Sequence, residues 1–222
     1  MMIDRLAGNA ALKDSVRLML GSRRLTHSVL LVGETGLGAG YAARCVAADY
    51  LYPAGGAPAE ALLRGECCRA VGKAGDRDSG RIETGMVREA ISVTGMGSGG
   101  RYLVSQVKAM RTEIFNTSLS AEGRAVLLYH VERMNEESAN ALLKVMEEPP
   151  EGVLFLLTAD SLAAASASPW PRSAPRNAPS GASGRAWTKS RPGSTVSCST
   201  ATSAQCSPPP GMTPAGNRWK RP

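Results

Sequence analysis

The chain has 222 residues, 43% of them apolar, and a net charge of +7, which allows one globular domain with a sizeable core. No apolar run approaches the roughly eighteen residues of a membrane-spanning helix, and the N-terminal MMIDRLAGNA lacks the apolar stretch of a secretory signal. Five cysteines without framework spacing suit a reducing compartment, so the reading is a cytoplasmic protein with no membrane contact.

Taken in chain order, Asn9 is a helix N-cap, and Leu12, Val16, Met19 and Leu20 follow on one face, with Gly21 placed to end the helix. Arg24-Leu25-Thr26-His27 leads into an apolar strand, Ser28 to Val32. His27 has no partner residue nearby in sequence and reads as a packed loop histidine. Gly33-Glu34-Thr35-Gly36-Leu37-Gly38-Ala39-Gly40 then occupies the strand-to-helix position of a phosphate-binding loop. That loop reads G-x-x-x-x-G-K-[ST], in which backbone N–H groups wrap phosphates, Lys meets their charge and the hydroxyl binds magnesium. Gly33 and Gly38 match, but the Lys position is Ala39 and the hydroxyl position is Gly40. Losing the lysine alone removes a charge-assisted contact of about 1.5–3 kcal/mol. A glycine turn kept for the fold is favoured over ATP binding.

Tyr41 to Leu51 is the helix after this loop, with Ala42, Cys45, Val46 and Tyr50 on one side. Residues 54–100 read as a loop-rich insertion, apart from a short strand at Ala90 to Thr94. Cys67 and Cys68 are adjacent and have no histidine beside them, whereas tetrahedral zinc needs four ligands, so no zinc is expected. Ser105 is read as the cap of a helix carrying Val107, Met110, Ile114 and Phe115, with Lys108 and Arg111 on its solvated face. Ala125 to Tyr129 is a buried strand. Asn135 caps a helix with Glu136 and Glu137 in its first turn and Ala139, Leu142, Leu143 and Met146 on its apolar face. Pro149-Pro150 stops that helix and Val153 to Thr158 is another strand. Strand, helix, strand in this order implies a parallel α/β unit.

The run Asn140, Ala141, Leu142, Leu143, Lys144, Glu147, Glu148, Pro149, Pro150 resembles the signature of the AAA+ clamp-loader subunits of DNA polymerase III. Arg24 to His27, and Gln106-Val107-Lys108 ahead of the Ala125 to Tyr129 strand, are similar to segments of the same family. The resemblance covers roughly residues 5–160. It implies a P-loop AAA+ type α/β fold, a three-layer arrangement with a parallel sheet flanked by helices, incomplete at its C-terminal side. It also identifies Tyr129 and His130 with the Walker B acids, which hold magnesium and activate water, and Thr158 with the sensor 1 position. Neither Tyr129 nor His130 can replace those acids. Both nucleotide motifs are altered at their charged positions, while the surrounding glycine and apolar pattern is kept. The chain therefore resembles the non-hydrolysing delta-prime type of subunit, with no catalytic residue, no cofactor and a structural part in the polymerase holoenzyme. Its implied partners are the other clamp-loader subunits and, through them, the sliding clamp and primed DNA. The alternatives are an ATP-hydrolysing gamma/tau-like subunit and an inert truncated fragment.

Near Asp160 the composition changes. Residues 1–160 hold 18 Lys/Arg against 19 Asp/Glu, whereas residues 161–222 hold eight Lys/Arg, no acid, ten of the fourteen prolines and all three tryptophans. Such a segment buries too little apolar surface to fold, so it is expected to be a disordered tail. Out-of-frame translation of a GC-rich gene accounts for its Ala, Pro, Gly, Arg and Ser better than a basic nucleic-acid-binding arm does.

Overall fold

Two apolar runs set the centre of the molecule. In β5 (Arg124–Tyr129) the first five residues are buried, and in β6 (Val153–Ala159) all seven are. Near-continuous burial is what a parallel strand needs when both sheet faces are covered. The computed structural model describes residues 1–22, 28–115 and 123–167, with a short antiparallel ladder between Arg185–Ala186 and Ser199–Thr200. Among these, six strands form one sheet in the order β1-β6-β5-β4-β2-β3, where β1 is Ser28–Val32, β2 Cys67–Val71, β3 Arg81–Glu83 and β4 Val87–Thr94. All neighbours pair in parallel except β2 with β3, which is antiparallel.

Side chains alternate across this sheet with the two-residue period of a strand. Val29, Leu31, Leu127, Leu154 and Leu156 face one core, shared with α1 (Ala10–Gly21), α2 (Ala39–Leu51) and α3 (Ala57–Arg64). Val126, Leu128, Phe155 and Leu157 face the other, shared with α4 (Val104–Ile114) and α5 (Glu136–Glu147). The expected helix-sheet-helix layering is thus present. A short α6 (Leu162–Ala167) follows β6.

Local chemistry fixes the helix starts. The Asn9 carboxamide accepts from the Leu12 N–H at 3.1 Å, and that of Asn135 from the Ser138 N–H at 2.7 Å, each satisfying a first-turn donor. Ser105, by contrast, is not a cap. Helix α4 begins one residue earlier, and the Leu103 N–H donates to Gln106 Oε1 at 3.1 Å, so Gln106 reaches back to do the capping. The Gln106 amide also donates to the Ala70 and Thr94 carbonyls, both at 2.9 Å, which ties α4 to β2 and β4. Lys108 stays exposed and pairs with Asp78 at 2.8 Å.

The reading of residues 54–100 as loop-rich is corrected by the structure. This stretch contains α3 and the three strands on one side of the sheet. Its strands were hard to read because CCRAV and RIE are short, with Ala and Arg in place of a regular apolar alternation. Helix α3 did carry a signal: Pro58 stands in its first turn, and Gly65 follows its end at φ 84°. Gly85, between β3 and β4, runs so close to β2 that a Cβ there would meet the Cys67 carbonyl oxygen at 2.3 Å. The Arg24–His27 segment lies outside the described residues, as does the tail beyond residue 167 apart from the short ladder.

Candidate functional site

In a parallel sheet, loops leaving the C-terminal strand ends converge on a crevice, and ligand sites form there. The glycine-rich loop leaves β1 at this edge, beside the ends of β6 and β5. The Gly33 N–H donates to the Ala159 carbonyl at 3.0 Å, and the Leu37 N–H to the Glu34 carbonyl at 3.0 Å, which closes the turn. Gly36 and Gly38 have φ of 90° and 92°, a left-handed backbone open to glycine at little cost. Gly38 caps α2 without a side chain, and Ala39 and Gly40 open the helix. The loop keeps its shape, but the two positions that would meet phosphate charge and magnesium carry a methyl group and a hydrogen.

Tyr129 closes this corner. Its ring packs on Gly40, where an added Cβ would lie 3.2 Å from Tyr129 Cε1. Burial pushes the phenol above its ordinary pKa, and Arg44 beside it pulls the other way. Arg44 is itself anchored, its Nε donating to the Leu63 carbonyl at 2.9 Å. Tyr102 Oη donates to the Tyr129 carbonyl at 2.5 Å and fixes the end of β5. At the start of α2 the side chains are therefore an aromatic ring, a glycine and an alanine, and neither the lysine nor the hydroxyl that a magnesium–nucleotide complex takes at these loop positions is present.

His130 leaves β5 with φ 57° and ψ 58°, an uncommon conformation for a residue with a side chain. Its N–H donates to Thr158 Oγ1 at 3.1 Å, so the buried Thr158 hydroxyl links the ends of β5 and β6. The His130 ring Nδ1 lies 3.2 Å from Glu132 Oε1 and 3.2 Å from Asp160 Oδ1. Thr35 of the glycine loop donates to the same Asp160 oxygen at 2.8 Å. The structure places Gly33, Gly36, Gly38, Ala39, Gly40, Tyr129, His130 and Thr158 at this one edge of the sheet. It adds Thr35, Glu132 and Asp160, which the sequence reading missed. Only strand register carried that signal: Leu128 is level with Leu157, so residues just past each strand end become neighbours.

The family signature lies elsewhere, on α5, across the sheet from α2. Leu142 is buried, Leu143, Pro149 and Pro150 are half-buried, and Asn140, Lys144, Glu147 and Glu148 are exposed. Cys67 and Cys68 sit in β2 facing the two opposite cores, so they do not form a shared ligand pair.

Residues 8–165 match the family described as DNA polymerase III, delta subunit. The DNA polymerase III subunit delta' of Bacillus subtilis is 28% identical over 134 residues, covering 60% of this chain and 36% of that protein. The subunit gamma of Buchnera aphidicola from Acyrthosiphon pisum is also 28% identical over 134 residues, covering 60% of this chain and 33% of its own length. A gamma subunit-related protein from Thermotoga maritima, a solved structure, aligns with a TM-score of 0.34 and 16% identity over 68% of this chain and 39% of that one. The chain spans about a third of the length of each of these two curated relatives. With its α/β fold, its glycine loop and the match across residues 8–165, the chain belongs to the DNA polymerase III delta-subunit family of clamp-loader subunits.

Proposed function

We propose that the chain is a non-hydrolysing, delta-prime-like subunit of the clamp loader, holding a structural position in the assembly that places the sliding clamp on primed DNA. The relatives include a delta' and a gamma subunit at equal identity, so the distinction rests on the chain's own residues. One contact supports it above all: the Tyr129 ring against Gly40. At that corner a hydrolysing subunit needs a carboxylate and a hydroxyl around magnesium. Here an aromatic ring stands on a glycine, and the lysine position is Ala39. The loop survives as a structural turn that joins β1 to α2 and, through Gly33, to β6.

Among the described residues no helix is long and apolar enough to cross a membrane. The exposed side of α5 carries Asn140, Lys144 and Glu147, with Glu148 just past its end. Co-purification tests the reading. The tagged full chain, expressed with the gamma and delta subunits of its host, is expected to elute with them on gel filtration without raising their ATPase rate. Elution of the chain alone would favour an inert fragment. Magnesium-dependent ATP turnover by the chain alone would favour the gamma-like alternative.

A further inference from the structure

We propose that His130, Glu132 and Asp160 form a binding site for one divalent transition-metal ion of the zinc class, separate from any nucleotide. One ligand atom from each lies within 4.8 Å of the others. His130 Nδ1 is 3.2 Å from an oxygen of each carboxylate. Atoms that share a metal at about 2.0–2.2 Å in tetrahedral or octahedral geometry stand roughly 3.0–3.5 Å apart. The two histidine–carboxylate spacings fall in that range, and the two carboxylates lie within 4.8 Å of each other.

Hydrogen bonding alone leaves the cluster under-satisfied. A neutral imidazole has one N–H and one lone pair, so Nδ1 offers a single bonding position to two carboxylate oxygens. Glu132 Oε2 is buried with no hydrogen-bond partner among the described residues, although only 12% of the Glu132 side chain is exposed. Arg133 lies 4.0 Å from Glu132 Oε1 and is itself 43% exposed. Metal binding takes the imidazole in its neutral form, and two carboxylates beside it offer a charge of about −2 that one divalent ion matches. The imidazole favours Zn²⁺, Co²⁺ or Ni²⁺ over Mg²⁺, which prefers oxygen donors and keeps its waters.

The surroundings hold the three groups in place. The Thr35 hydroxyl donates to Asp160, and Thr158 fixes the His130 backbone through the His130 N–H. Partners of this kind orient metal ligands. Asp160 is 36% exposed, which provides an entry path and leaves remaining coordination positions to water. The site would link the glycine loop to the ends of β5 and β6.

The test uses the full chain and Co²⁺ as an optical probe. Titration is expected to give saturable visible absorption at one ion per chain, reversed by Zn²⁺ and unaffected by Mg²⁺. No thiolate charge-transfer band should appear, which separates this site from the cysteines. Asp160→Asn and His130→Asn should each weaken binding by about tenfold or more; Asn tolerates the left-handed backbone at residue 130, and Asp160 is partly exposed. A second readout needs no variant. The chain has two histidines, and Zn²⁺ should shift the ring nitrogen NMR signals of His130 while leaving His27 in place. Absence of saturable binding, a thiolate band, unchanged affinity in both folded variants, or an unmoved His130 signal would each overturn the proposal.

Discussion

Tyr129 fills the corner of the crevice beside Gly40. Its ring and Gly40 complement each other, since a Cβ at residue 40 would approach the ring to 3.2 Å. Restoring the phosphate-loop residues alone is therefore not enough. Ala39→Lys with Gly40→Thr should lower stability by about 1–3 kcal/mol in urea unfolding through overpacking against Tyr129, and should confer no magnesium-dependent ATP binding. Adding Tyr129→Asp to that pair should relieve the crowding. Asn135 is a simpler case: Asn135→Ala removes the acceptor for the Ser138 N–H and should cost about 1 kcal/mol of stability. Burial raises the Cys45 thiol from its ordinary 9.0 to about 11. The folded state then holds a proton that the unfolded state has released, so this contribution is full below pH 9.0 and is lost as pH rises toward about 11. Denaturant midpoints measured from pH 8 to pH 11 should fall across that window, and less so for Cys45→Ala.

At the scale of elements, legibility followed the strength of the local signal. Strand β1, the cap of α5 and the strand–helix–strand block were readable because apolar runs and Asn caps are local features. Strands β2 and β3 were not, because their burial depends on neighbours that the sequence does not name. Cys68, for instance, is buried beside Ile91 across the ladder rather than within any apolar run of its own. Gln106 shows the same dependence. Its polar side chain is fully buried because it satisfies four backbone groups at once, on Leu103, Met96, Ala70 and Thr94. Gln106→Leu should leave the Ala70 and Thr94 carbonyls unsatisfied and cost about 1–3 kcal/mol, seen as a lower urea midpoint. Hydrogen exchange at the β2–β4 ladder should speed up in the same variant.

Across the whole molecule, the sequence made the layered α/β fold and the glycine loop legible, and its signature residues pointed to the family that the match over residues 8–165 shows. The pairing of His130 with Asp160 was not legible, because it arises from two strands meeting side by side rather than from spacing along the chain. The proposed structural role rests on the replaced positions, Ala39 and Gly40 in the loop and Tyr129 and His130 at the end of β5. Equilibrium binding of a fluorescent ATP analogue to the purified full chain, with and without magnesium, tests this most directly. The account predicts no saturable magnesium-dependent binding up to millimolar nucleotide. Micromolar binding that requires magnesium would contradict it, since the Tyr129–Gly40 corner would then be holding the ion it is argued to displace.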